Sequence, residues 1–150
     1  MTTKLSPHFT LEEMTVSATG ARLGLSNVPK GAALATLTAT AARMETVRAL
    51  LGNKPIIVLS GYRSPEVNRA VKGSRASAHM TGHAVDFICP GFGPSAKVAA
   101  HLAKHLTAYD QVIEEFGEWV HIGFGPGDRR QALTARRVGG RTRYTSGIAG

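Results

Sequence analysis

Four short apolar runs, each closed at both ends by turn-forming residues, limit the architectures open to this chain: Pro55–Leu59, Ala84–Ile88, Asp110–Phe116 and Trp119–Phe124. Runs of this length, rich in Ile, Val and Phe, are too short for helices and read as strands. The last two are joined around Gly117 and predict a hairpin. Helical spacing lies elsewhere. From Lys30 to Leu51, the residues Leu34, Leu37, Ala41, Met44, Val47, Arg48 and Leu51 recur at steps of three and four, which predicts a long helix with one buried stripe, stopped by Gly52-Asn53. A second helix is expected over Ser95–Thr107, where Val98, Leu102 and Leu106 share a face. Thr10-Leu11-Glu12-Glu13 has the pattern of a capping box and should open a short helix. Ser64-Pro65 supplies a cap and a first-turn proline for another, running to Val71. Ser17 to Pro29, full of small and turn-forming residues, reads as a loop. The expected fold class is α+β: a small, mainly antiparallel sheet flanked by helices 30–51 and 95–107.

The chain has 150 residues with 43% hydrophobic and 19% charged, a globular composition that excludes wholesale disorder. One domain, 1–150, is expected, with a core over about 8–124 and a basic extension over 128–150. That extension holds Arg129, Arg130, Arg136, Arg137, Arg141 and Arg143 against the single acid Asp128; Leu133, Ala135 and Val138 allow one edge strand, and the remainder reads as partly mobile. Eighteen Lys and Arg against ten Asp and Glu leave a formal charge of +8, which attracts polyanions without choosing among them. No stretch is apolar enough to cross a membrane, and the first thirty residues lack the apolar region of an export signal. Synthesis in the cytoplasm without a signal peptide is therefore expected.

Cys89 stands alone, so there is no intrachain disulfide and no cysteine pair for a zinc ribbon. Any metal must be held by His, Asp or Glu. Such residues gather at His79, His83 and Asp86, and again at Glu118 and His121. Two imidazoles with one carboxylate form a common catalytic zinc set, because three protein ligands leave a fourth position for water. Hydrolysis also needs a group to take the proton from that water. Glu118, three residues before His121, and Glu115, six before it, are the candidates. Strict strand alternation would place Glu118 on the face opposite His121, so it serves only if the chain bulges or turns there. Arg63, at the end of a buried strand, is the cation best placed to stabilise an oxyanion. On spacing alone, the same histidines also read as hydrogen-bonded strand-end residues and Asp86 as a turn cap.

The run Ser77-Ala78-His79-Met80-Thr81-Gly82-His83-Ala84-Val85-Asp86 fits the pattern S-x-H-x-x-G-x-A-x-D, and Trp119-Val120-His121 fits a later W-x-H. Together they resemble the zinc peptidases that include D-Ala-D-Ala carboxypeptidases, D-Ala-D-Ala dipeptidases and L-alanyl-D-glutamate endolysins, the LAS group with the hedgehog/DD-peptidase fold. His8 to Met14 resembles that family's opening helix, Ser60-Gly61-Tyr62-Arg63-Ser64 its arginine turn, and Asp110 to Gly117 the strand before W-x-H, so the likeness spans about 8–124. It is strongest to the compact phage-associated branch. The resemblance implies that His79, Asp86 and His121 bind one Zn2+ per chain and that Glu118 is the general base and acid, with Glu115 the alternative. It implies that Arg63 polarises the scissile carbonyl or holds substrate, and that Ser77, Tyr62 and Trp119 lie beside the site, contacting substrate or supporting the ligands.

The activity so implied is zinc-dependent hydrolysis of a peptide bond in peptidoglycan stem peptides, of the D-Ala-D-Ala carboxypeptidase or L-Ala-D-Glu endopeptidase type. Action on the cell wall, as a virion component or after release through a holin, and partners in a phage tail or lysis system belong to the same expectation. The alternative from another class is a non-hydrolytic wall-binding or virion structural module on the same fold. No nucleic-acid partner is expected, since the arginine-rich tail lacks interleaved aromatics apart from Tyr144. His83 reads as a surface or supporting residue, His101 and His105 as a polar helix face, and Cys89 as a buried structural thiol.

Overall fold

Thr10 starts a helix in the way its neighbours suggest: its hydroxyl accepts from the Glu13 amide at 3.1 Å, and the Glu13 carboxylate accepts from the Thr10 amide at 3.2 Å. The helix that follows, α1, spans Leu11–Met14. The structure is a computed structural model that describes residues 2–125 and 127–149. Its contacts group into two units, one built from residues 1–45 and 58–85, the other from 46–57 and 86–150.

In the first unit, β1 (Lys4–Ser6) and β2 (Phe9–Thr10) form a small antiparallel pair that the sequence did not announce. The pair is tied down by Glu45, whose carboxylate accepts from Ser6 Oγ at 2.6 Å and from the His8 amide at 2.7 Å. Partial burial acts to raise the Glu45 pKa, but the hydrogen bonds from Ser6 and His8 outweigh it and hold the carboxyl below its ordinary value. The segment expected as a loop after Ser17 contains a helix, α2 (Ala18–Leu23). Ser17 Oγ caps it through the Gly20 amide, and Gly24, at φ 68°, closes it in the left-handed conformation. The apolar period hides this helix because its residues are small. The long helix α3 (Ala32–Leu50) buries Leu37, Ala41, Met44 and Val47, whereas Leu34 lies outside the buried stripe. The run Pro55–Leu59 becomes β3 (Ile57–Ser60), with Ile57 49% and Leu59 43% exposed. Exposure alternates along β3, so one face of the strand is open to solvent and the continuous apolar run is not buried on both faces. Then come α4 (Pro65–Ala70), capped by Ser64, and a short 3-10 helix over Ala78–Thr81.

Strand β4 (Ala84–Ile88) leads to α5 (Ser95–His105) and the hairpin β5 (Gln111–Glu115) and β6 (Trp119–Gly123). Helix α5 packs on β5 and β6, burying Val98, Ala99 and Leu102 with Val112, Val120 and Ile122. The basic extension is ordered as two strands, β7 (Gln131–Val138) and β8 (Arg141–Ser146), rather than one edge strand and a mobile remainder. Gly139 and Gly140, at φ 60° and 78°, form the tight turn between them. The sheet order is β3-β4-β6-β5-β7-β8, and β7 runs parallel to β5, so the sheet is mixed within the expected α+β class. An ion pair secures the extension: Arg136 Nη1 donates to Glu114 Oε2 at 2.6 Å, where Glu114 is 1% exposed and also accepts from Ser95 and the Gly117 amide. With its oxygens so engaged, Glu114 is a structural acid.

Candidate metal centre

His79 sits on the 3-10 helix and not on a strand, held by the turn that Ser77 begins. Ser77 Oγ accepts from the His79 amide at 3.2 Å, which fixes the backbone. The ring is fixed at its other end, for Nδ1 lies 2.7 Å from the Gly61 carbonyl oxygen. A carbonyl can only accept, so Nδ1 carries the proton and Nε2 has the lone pair that a metal takes. This is the usual way a protein fixes the tautomer of a metal-binding imidazole.

Asp86 lies mid-strand in β4 and is 6% exposed; His121 lies mid-strand in β6, with its Nδ1 2.9 Å from Asp86 Oδ1. One donor atom from each of His79, Asp86 and His121 falls within 4.8 Å of the other two. Donors about 2.0–2.2 Å from a tetrahedral zinc stand about 3.4 Å apart, so the spacing and the donor chemistry fit that ion. No other cluster of three such residues occurs among the described residues. His83 is engaged with Thr81 Oγ1 at 2.6 Å, and His101 with the Leu50 carbonyl at 3.0 Å. Cys89 is buried, and burial raises its thiol pKa, the opposite of what a nucleophile needs.

The two candidate bases occupy different settings. In the hairpin register, Glu115 faces Trp119 and Ile113 faces His121, so Glu115, Trp119 and His121 project from one side of the sheet. Trp119 Nε1 donates to Glu115 Oε1 at 3.0 Å and orients that carboxylate. Glu118 belongs to the turn, its amide donating to the Glu115 carbonyl at 3.0 Å, so strand alternation no longer dictates its direction. It is exposed and lines a cavity of about 390 Å³ together with Val120, Val98, Ser95 and Cys89, on the α5 side of the sheet.

Arg63 follows β3, its Nε donating to Ser60 Oγ at 3.2 Å and Nη1 to Asn68 Oδ1 at 3.1 Å, while its amide donates to the His79 carbonyl. Tyr62 is 7% exposed; burial first, then Glu66, raises its pKa. Asn27 brackets this turn, donating to the Tyr62 carbonyl at 3.0 Å and accepting from the Ser64 amide at 2.7 Å. The sequence reading missed Asn27, Asn68 and Gly61 as supports of the site. Of these, only Gly61 carries a signal, since it precedes Tyr62-Arg63 directly. A Cβ at Gly61 would lie 2.2 Å from the Met14 carbonyl oxygen. We expect Gly61→Ala to displace the carbonyl that fixes His79, costing about 2–4 kcal/mol of stability and about 10–100-fold in metal affinity, read by thermal melts and metal titration.

A His-Asp-His set with a supported imidazole, two of its members on a mixed sheet, defines a candidate metal centre. The sequence profile of the Peptidase M15 family matches residues 7–123, and the chain belongs to that family. It is also 39% identical over 71 residues to the zinc D-Ala-D-Ala carboxypeptidase of Streptomyces albus G, an alignment covering 47% of this chain and 27% of that relative. The chain thus matches about a quarter of that relative's length.

Proposed function

We propose that this chain is a zinc-dependent peptidase that hydrolyses a peptide bond in peptidoglycan stem peptides. The observation that carries the reading is the convergence of His79, Asp86 and His121, with the His79 tautomer set by Gly61. The name of the Streptomyces albus G relative supports both the metal and the substrate class. When bound, zinc supplies Lewis acidity, polarising a carbonyl and making water acidic near neutral pH. The chain's own residues do the rest. A glutamate takes the proton and returns it to the leaving amine. The strand register favours Glu115 for this role, with Glu118, the residue that the family resemblance implies, as the alternative. Arg63, its guanidinium braced by Ser60 and Asn68, holds the substrate carbonyl or a carboxylate without reorganising. Ser77 fixes the His79 backbone, Tyr62 belongs to the turn that carries Arg63, and Trp119 orients Glu115. Delivery to the wall by a phage, within the virion or through a holin lesion, completes the proposal.

Purified sacculi incubated with the zinc-loaded protein should gain new amino termini. Mass spectrometry of products from defined muropeptides then distinguishes D-Ala-D-Ala, L-Ala-D-Glu and cross-bridge cleavage. Chelation should stop release and zinc restore it. Binding to sacculi without new termini, under conditions where zinc is retained, would make the chain a wall-binding module instead.

A further inference from the structure

The β7–β8 hairpin lies beyond the segment that the family profile matches, yet it extends the side of the sheet that carries His121. Glu115 pairs with Ala135, and Ala135 with Tyr144, so Trp119, Glu115, Ala135 and Tyr144 form one row across four strands, all on that side. Arg137, two residues past Ala135, stands on the same side, one step further along. Its guanidinium lies 4.9 Å from the centre of the Phe116 ring, which in turn meets Trp119 edge-on at 5.6 Å. Phe116 holds φ 61°, a strained setting for a bulky residue, and its ring carries the guanidinium.

These two side chains differ from the other basic and aromatic groups nearby. Arg129 is paired with Asp110 and Arg136 with Glu114; Arg141 and Arg143 alternate to the opposite side of β8 from Tyr144. Among the described residues, neither the Arg137 guanidinium nor the Tyr144 hydroxyl has a hydrogen-bond or ion-pair partner. The Tyr144 phenol is a donor at neutral pH, as any phenol is, and burial, then Glu115 and Asp86, raise its pKa further.

We propose that Arg137 and Tyr144 form a subsite for a carboxylate of the peptide substrate, lying a few residues from the bond that is cut. This rests on the peptidase reading and adds to it a substrate class, peptides that carry a free acid beside the scissile region. Three strand spacings separate β6 from β8, about 14 Å, the span of about four extended residues. A guanidinium fork and a phenolic hydroxyl are the donors a carboxylate takes, and an amide in its place would leave a guanidinium N–H facing another donor. The subsite would therefore discriminate a free acid from its amide.

The test uses two synthetic stem peptides identical except that one acidic residue is a free carboxylate or the primary amide. The zinc-loaded wild type should favour the acid by about tenfold or more in kcat/KM, mostly through KM. Arg137→Gln should erase that preference by raising KM for the acid alone, Arg137→Lys should keep part of it, and Tyr144→Phe should weaken it, all with one zinc retained. Equal kcat/KM of the wild type for both peptides, or an equal loss on both in Arg137→Gln, overturns the subsite while leaving the peptidase reading intact. Calorimetric binding of the same peptides gives a second reading that needs no turnover. If neither peptide is cut, the peptidase reading fails on its own, and the subsite stands or falls on whether the acid binds more tightly than the amide and loses that advantage in Arg137→Gln.

Discussion

His79→Ala is expected to lose its equivalent of zinc on dialysis and to fall in kcat/KM by about a thousandfold or more, since a metal contributes several kcal/mol of transition-state stabilisation and each 1.36 kcal/mol is tenfold. The side chain is 2% exposed, and its removal leaves the Gly61 carbonyl without the imidazole N–H. A stability loss of about 1–3 kcal/mol should accompany the change. The two effects separate. His79→Gln retains volume and a polar group, so it should recover much of the stability and little of the metal affinity. His83→Ala, which removes a ring engaged with Thr81, should keep zinc and activity. Metal content by atomic spectroscopy, with melting temperature in parallel, decides the matter. Undiminished zinc affinity in folded His79→Ala would refute the centre.

The donor residues were legible because chemistry restricts them: with one cysteine in the chain, few residues could serve, and their grouping at 79–86 and 118–121 stands out. What makes them a site was not legible. The Gly61 carbonyl that sets the His79 tautomer belongs to a distant turn, and backbone atoms leave no mark on a sequence pattern. The same holds for Asn27, which pins the Tyr62–Ser64 turn from a segment that looked like plain loop. Local chemistry predicted local structure well where it was strong, as at Thr10 and Ser64, whose hydroxyls cap the helices they precede. It failed where stability comes from afar. Strand β8, Arg-Thr-Arg-Tyr-Thr-Ser, has no apolar alternation; it pairs with β7, which is anchored through Arg136 on the buried Glu114. Only Gly139-Gly140, a tight-turn pair, hinted at the hairpin. The parallel pairing of β7 with β5 is equally invisible, because strand order is decided between segments and not within them.

Glu115→Gln should lower kcat by about a hundredfold to ten-thousandfold with zinc retained, whereas Glu118→Gln should stay within about tenfold of the wild type. A base has to reach the water beside the metal ligands, and Glu115 is the diagonal cross-strand neighbour of His121 on the side where that ring projects. Its carboxylate is also oriented, by the Trp119 indole, as a base needs. Glu118 is carried by the turn and lines the cavity on the α5 side. Trp119→Phe offers an intermediate case. It leaves the carboxylate in place and removes the N–H that aims it, so kcat should fall by less than in Glu115→Gln. The acidic limb of the kcat/KM profile gives a further readout: it should disappear in Glu115→Gln, because no titrating base remains, and persist in Glu118→Gln. Reversed results in the two glutamine variants would return the role to Glu118, and would require the hairpin turn to present that side chain across the strand end toward His121.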